Sequence, residues 1–377
     1  MSERSDPVRV ALISSWPANP ASGGGTATAV LGLARGLEQL GHRVDRLPAG
    51  GDGRKNLVSR ALFNVALRNR DFDAFDLVIG VDLDGFALRI ERPYVVLLKG
   101  VAADEADHER GPAVLERRLA AALEAANVRR AHRVVVPSAY AAGIAAARYG
   151  IASDRLAVVP EPVLRFEGPD ALLDAPCQAH AQPTILSVGH QYRRKRTADL
   201  LRAIALLPPH LGDARVRIVG DGPELPRLRR LAGALRIAHR VDFLGRIDEV
   251  ALAREYATAH CFCHPSVQEA FGIVVVEAMA AGLPVVAARA AAVPELVQDG
   301  ATGRLVEPRD PAALAAALAQ LLDDEPLRRS MGTAGRSRAG LRSPAEHARQ
   351  LLAVSSTLGA GGPDRRTRLR RRRGSRR

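Results

Sequence analysis

Short, almost wholly apolar runs recur along this chain, each followed by a loop rich in glycine or charge and then by an amphipathic stretch. A strand with one face in water alternates apolar and polar residues, whereas a strand covered on both faces does not. Val8–Ser14 is of the covered kind, and Val44–Leu47, Leu77–Gly80, Tyr94–Leu98, Arg133–Val136 and Leu156–Val159 follow it. Helical periodicity intervenes at about 25–40, stopped by Gly41, and near 57–68, 113–130 and 138–149, where Ser138 after Pro137 suits an N-cap. This alternation predicts a doubly wound parallel α/β domain over residues 1–165. Periodicity then fails, and Gly168-Pro169, Pro176 and Pro183 mark a linker over 166–183. A second series begins with Ile185–Val188 and continues through Val216–Val219, Val241–Leu244, Cys261–His264, Val285–Ala287 and Arg304–Val306, giving a second domain over 184–340. Helices from Pro311 to Asp323 and Ala345 to Ser355 close the ordered chain. The predicted architecture is two Rossmann-like domains facing a cleft, and 377 residues are too many for one ordinary core.

Composition narrows the setting. No apolar stretch reaches the ~18 residues of a membrane span, and the N-terminal MSERSDPVRVALIS mixes acids with bases, unlike a secretory signal. The three cysteines, Cys177, Cys261 and Cys263, read as reduced structural thiols of a cytoplasmic protein; C-x-C-H lacks the second ligand pair that zinc needs. The net charge of +13 is unevenly spread, because Arg365–Arg377 holds nine arginines and no acid. Such a run reads as a disordered tail over 358–377, either a solvated terminus or a segment whose partner is an anionic membrane surface at the inner face. It has no interleaved aromatics, so it offers nucleic acid charge without base readout.

Chemistry concentrates between His264 and Gly300. Glu269 and Glu277 flank Phe271-Gly272, one before a predicted helix start and one about two turns inside, some ~12 Å apart at 1.5 Å per residue. Paired glycosidase carboxylates stand closer, at about 5–9.5 Å. The wider spacing suits a grip on two ends of an extended ligand. A helix start is also an anion site, through free N–H groups and the positive end of the dipole. After the Ile185–Val188 strand, Gly189-His190 leads into Arg193, Arg194, Lys195 and Arg196, where basic groups point into the ligand crevice. Ala21-Ser22-Gly23-Gly24-Gly25-Thr26 reads as a loop whose amides can approach a phosphate; it is neither a dinucleotide fingerprint nor a Walker loop. Gly220-Asp221-Gly222 ends another strand. Asp82-Leu83-Asp84 is a D-x-D best read as loop acids or an acceptor contact.

The string E-x7-E with Phe271-Gly272 inside, then EAMAAGLPVVA, P-E-L-V and D-G-x-T-G, resembles the donor-site signature of family-4 retaining glycosyltransferases of the GT-B fold (glycosyl transferases group 1). The likeness runs from about Val8 to Leu352 and is most specific from Ser187 to Val306. The resemblance implies that Glu269 contacts the transferred sugar, that Glu277 holds the ribose hydroxyls, and that the Gly272, Ile273 and Val274 amides meet the diphosphate or sugar. It implies diphosphate neutralisation by a Gly-Arg pair and a later lysine. Lys195 matches the lysine, His190 stands in place of the arginine, and Arg193 or Arg194 could compensate. Gly189 and Gly222, with Gly245-Arg246-Ile247, then line the donor wall, while Gly24, Gly25, Lys99 and Asp104 face acceptor and phosphate. The last helix, 341–357, would cross back to the first domain.

The function expected is metal-independent transfer of a hexosyl group, with retention, from a nucleotide-diphosphate sugar to a hydroxyl acceptor, and no other cofactor. The alternatives are a sugar-nucleotide epimerase or phosphorylase of the same architecture, and a non-catalytic polyanion-binding protein, which would leave the donor motif unexplained.

Overall fold

The computed structural model describes residues 7–16, 20–48, 56–162, 181–340 and 343–356. The expected linker up to residue 180 and the arginine-rich tail lie outside them.

The first domain is a six-stranded sheet of β1 (Arg9–Ser14), β2 (Arg43–Pro48), β3 (Leu77–Val81), β4 (Tyr94–Leu97), β5 (Arg133–Val136) and β6 (Leu156–Val158), in the order β2-β1-β3-β4-β5-β6. The second sheet comprises β7 (Thr184–Val188), β8 (Arg215–Val219), β9 (Val241–Gly245), β10 (Cys261–His264), β11 (Val285–Ala288) and β12 (Gly303–Val306), in the order β12-β11-β10-β7-β8-β9. Every strand pair is parallel. All-parallel pairing explains the continuous apolar runs, because helices cover both faces of each sheet. In β1, β3, β7 and β10 the interior residues are fully buried on both sides.

Strand order fixes where ligands can sit. In the first sheet the winding direction reverses between β1 and β3, and in the second between β7 and β10. The loops leaving two strands at such a point diverge to opposite faces and open a crevice at their C-terminal ends. The residues following β7 and β10 therefore face one crevice, and these are the segments carrying Lys195 and Glu269.

Two local readings need correction. Gly23–Gly25 is not a loop: the first helix spans Pro20–Gln39 and includes it. A 15-residue helix, Glu325–Ala339, stands where none was expected. Its buried Gly332 hid it, yet glycine is what its packing needs, because a Cβ there would lie 2.1 Å from the Gly282 carbonyl oxygen. Close approach of backbones outweighs the poor helix propensity of glycine. The last helix, Pro344–Ser356, packs on the first helix, with Ala348 and Leu351 buried beside Leu33 and Leu37. A Cβ on Gly36 would lie 2.0 Å from the Pro344 carbonyl oxygen. Among the described residues, no helix is long and apolar enough to cross a membrane.

Candidate active site

Glu269 and Lys195 are brought into direct contact. The chain leaves β10 through His264, and Val267 N–H donates to the Arg194 carbonyl at 3.0 Å while Ser266 Oγ donates to the same carbonyl at 3.3 Å. These bonds tie the β10 loop to the β7 loop. Lys195 Nζ then donates to Glu269 Oε1, and the same oxygen lies 2.7 Å from His264 Nε2. Burial raises the cost of ionising Glu269, but Lys195 and His264 more than offset it and hold the carboxyl well below its usual range. The result is an ionised carboxylate fixed between two nitrogen groups at the switch point.

Gly272 begins the Ile273–Ala280 helix with φ 101°, a conformation that favours glycine, and no side chain caps this start. The first-turn amides, Ile273 and Val274 among them, thus open the positive end of the helix toward the crevice. Phe271 packs with Val276 and Leu296 and braces the turn. Gly25 of the first domain comes to the same place, since a Cβ built on it would lie 3.9 Å from Ile273 Cδ1. Gly24 precedes it in the first helix.

Glu277 sits in the second turn, and its Oε2 accepts from Tyr256 OH at 2.9 Å. Burial raises its pKa to about 7; the Tyr256 hydroxyl counters this and Glu249 adds to it. The two glutamates thus differ in kind: Glu269 is held ionised, while Glu277 titrates near neutrality.

The loop after β8 needs two glycines where it closes on the β7 loop. A Cβ on Gly220 would lie 2.1 Å from the Gly189 carbonyl oxygen, and one on Gly222 2.6 Å from that of Gln191. Gly220 and Gly222 therefore let the two strand-end loops interlock, and the Gly189 carbonyl is one of the groups they close on. His190 places Nδ1 3.2 Å from the Asp221 carbonyl oxygen. Desolvation, together with Arg246, Lys195 and Arg194, lowers its pKa, so the imidazole is mainly neutral at pH 7.

Three candidates are engaged otherwise than expected. Arg194, a candidate diphosphate ligand, sends Nη1 to Glu109 at 2.9 Å and Nη2 to Glu105 at 3.4 Å, both in the first domain. Lys99 Nζ lies 2.8 Å from both oxygens of Glu161, and each side chain is 6% exposed. Asp104 is buried, its Oδ2 accepting from Gln268 and Tyr140 at 3.0 Å each. The D-x-D acids are similarly occupied: Asp84 accepts from Ser15 N–H, Ser15 Oγ and Asn64, and Asp82 from Lys99 N–H and Trp16. Among the described residues, no cluster of three or more His, Cys, Asp or Glu side chains could hold a metal.

Sequence reasoning missed the partners. His264 was legible only as a strand-end residue beside the crevice. Tyr256 lies 21 residues from Glu277, and Glu161 lies 62 from Lys99, so no local spacing announces either.

Residues 177–338 match the family described as glycosyl transferases group 1. N-acetyl-alpha-D-glucosaminyl L-malate synthase of Bacillus anthracis is 36% identical over 158 residues, 42% of this chain and 41% of that protein. D-inositol 3-phosphate glycosyltransferase of Corynebacterium diphtheriae is 40% identical over 153 residues, 39% of this chain and 36% of the relative. The chain thus spans less than half the length of these curated relatives. Sucrose-phosphate synthase from Thermosynechococcus elongatus superimposes with a TM-score of 0.79 at 23% identity, covering 94% of this chain and 100% of that one. Anabaena HepE in complex with UDP and glucose gives 0.70 at 21% identity, with 93% and 100% covered. These structures share the fold, two Rossmann-like domains about a cleft in the GT-B arrangement.

Proposed function

We propose that this chain is a retaining glycosyltransferase of family 4, moving a hexosyl group from a nucleotide-diphosphate sugar to a hydroxyl acceptor. The observation that carries this reading is the Lys195–Glu269–His264 cluster beside an uncapped helix start at the switch point of the second sheet. The named activities of the relatives, and UDP in one structure of the same fold, support a nucleotide-sugar donor. Their named products and acceptors differ, so the class of acceptor here is a hydroxyl compound without further assignment.

The barrier to transfer is charge on the departing diphosphate. Lys195 and the Gly272–Val274 amides supply fixed positive potential where that charge grows, and fixed dipoles stabilise it without reorganising. Glu269, held ionised, accepts from a sugar hydroxyl. Glu277 accepts from the ribose hydroxyls, with Tyr256 setting its orientation. His190, largely neutral, contributes a hydrogen bond rather than a full charge. Gly24 and Gly25 bring the first domain against the donor, and the acceptor enters from that side. The acceptor proton passes to the leaving phosphate on the same face of the sugar, which gives retention. Lys195 and the helix start carry the cationic role that a metal fills elsewhere. The protein works in the cytoplasm, and Arg365–Arg377 holds it to the anionic inner membrane face.

The test is incubation of purified protein with a panel of nucleotide sugars and hydroxyl acceptors, with and without a chelator, following release of nucleoside diphosphate. Chelator-insensitive release, with product of the donor's anomeric configuration by proton NMR, is expected. A product of inverted configuration would overturn retention, and a cleaved or epimerised nucleotide sugar without transfer would replace this reading with the epimerase or phosphorylase alternative.

A further inference from the structure

The segment that carries Glu269 is anchored on both sides by the other domain. The following residue, Ala270, has its carbonyl bonded by Ser138 Oγ at 2.6 Å, and its side chain sits in an apolar cluster of the first domain with Val134 and Ala141. The preceding residue, Gln268, donates Nε2 to Asp104 Oδ2 at 3.0 Å, and Tyr140 OH donates to the same oxygen. Among the described residues, the Glu269 side chain binds Lys195 and His264, both in its own domain. Nearby, the Glu295 carboxylate accepts from Ala139 N–H at 2.9 Å and Tyr140 N–H at 2.7 Å, holding the helix that bears Ser138 and Tyr140.

We infer that Ser138 and Asp104 are positioning residues that set Glu269 from across the domain boundary, so that its carboxylate takes its working place only when the domains are docked. This rests on Glu269 being the sugar-binding carboxylate of the proposed transferase. Glu277 and the helix start lie wholly in the second domain, so donor binding and donor activation become separable. A displacement of about 1 Å at a reacting group costs on the order of 100-fold in rate, and the docked domains exclude the water that would waste the donor.

Ser138 makes the inference testable because its hydroxyl serves two partners. Its oxygen accepts from Ala141 N–H at 3.0 Å as the cap of the Ala139–Tyr149 helix, while its single hydrogen goes to Ala270. Ser138→Asp keeps a capping oxygen but has no hydrogen to give; Ser138→Thr keeps both. Gln268→Met cuts the second anchor without touching the cap. In the full chain, Ser138→Asp and Gln268→Met should lose on the order of 10- to 100-fold in kcat, with unchanged affinity for UDP or GDP by calorimetry, and Ser138→Thr should recover most of the rate. Amide hydrogen exchange over residues 266–271 should quicken in the two deficient variants. The inference is overturned if nucleotide affinity falls in step with kcat, or if both variants retain wild-type turnover and exchange. A wild-type protein that turns over no nucleotide sugar would refute the proposed function instead, and the exchange measurement would still decide the anchoring.

Discussion

Replacing Lys99 by methionine separates a structural ammonium from a ligand-binding one. Lys99 Nζ meets both Glu161 oxygens at 2.8 Å, with each side chain 6% exposed. Methionine keeps much of the aliphatic stem but leaves the Glu161 carboxylate buried without its cation. Breaking a buried pair from one side costs about 3–5 kcal/mol, whereas replacing both members with apolar groups is often near neutral. For a domain of this size 1 kcal/mol moves the melting temperature by about 2–4 °C, so the single variant should melt roughly 6–20 °C lower. Lys99→Met/Glu161→Leu should recover most of the loss. The assay is thermal unfolding of all four members of the cycle, following the first-domain transition, since two domains need not melt together. The restored double variant should also keep wild-type turnover, because the ammonium is already committed to Glu161. A single-variant cost below about 1 kcal/mol, or a double variant no more stable than the single, would refute the reasoning. A stable double variant with weakened acceptor affinity would instead return Lys99 to the acceptor site.

Other outcomes follow from the same geometry. Glu277 titrates at about 7, above an ordinary carboxyl, so its folded form holds a proton more tightly than the unfolded chain. Its contribution to stability is present at acid pH and lost as pH rises from the ordinary carboxyl range through about 7. Glu277→Gln should therefore be more stable than wild type at pH 8 and similar at pH 4, by thermal melts, while nucleotide affinity falls. Tyr256→Phe removes the hydroxyl that lowers this pKa, so the pH at which donor affinity rises should move upward in calorimetric titrations. His190 has a lowered pKa, so its charge is gained only on acidification; His190→Arg should raise kcat/KM above pH 7 and flatten the acid-side rise, read from pH–rate profiles. Gly272→Ala places a methyl at φ 101° and 3.3 Å from Leu296 Cδ1, and should cost about 1–2 kcal/mol with loss of nucleotide binding.

The strands were legible because a parallel sheet buries both faces and writes itself as uninterrupted apolar runs. Glu269 and Lys195 were legible because each lies just past the C-terminal end of a strand, and the loops of β7 and β10 meet at the reversal of strand order. What binds those residues was not legible. Arg194 meets Glu109 across 85 positions and Gln268 meets Asp104 across 164, and a pairing between domains leaves no periodicity in either. The Glu325–Ala339 helix escaped for the opposite reason: local composition opposed it and close packing on Gly282 overrode composition. Gly23–Gly25 misled in the same direction, since three glycines read as a turn and are helical.

The most direct measurement of the central claim is single-turnover donor cleavage by wild type, Glu269→Gln and Lys195→Ala, alongside calorimetric nucleotide binding by the same proteins. The account predicts that wild type releases nucleoside diphosphate and that each variant is slowed on the order of 100-fold or more, with Lys195→Ala also weakening nucleotide affinity and Glu269→Gln leaving it intact. Wild-type cleavage rates in both variants would contradict it.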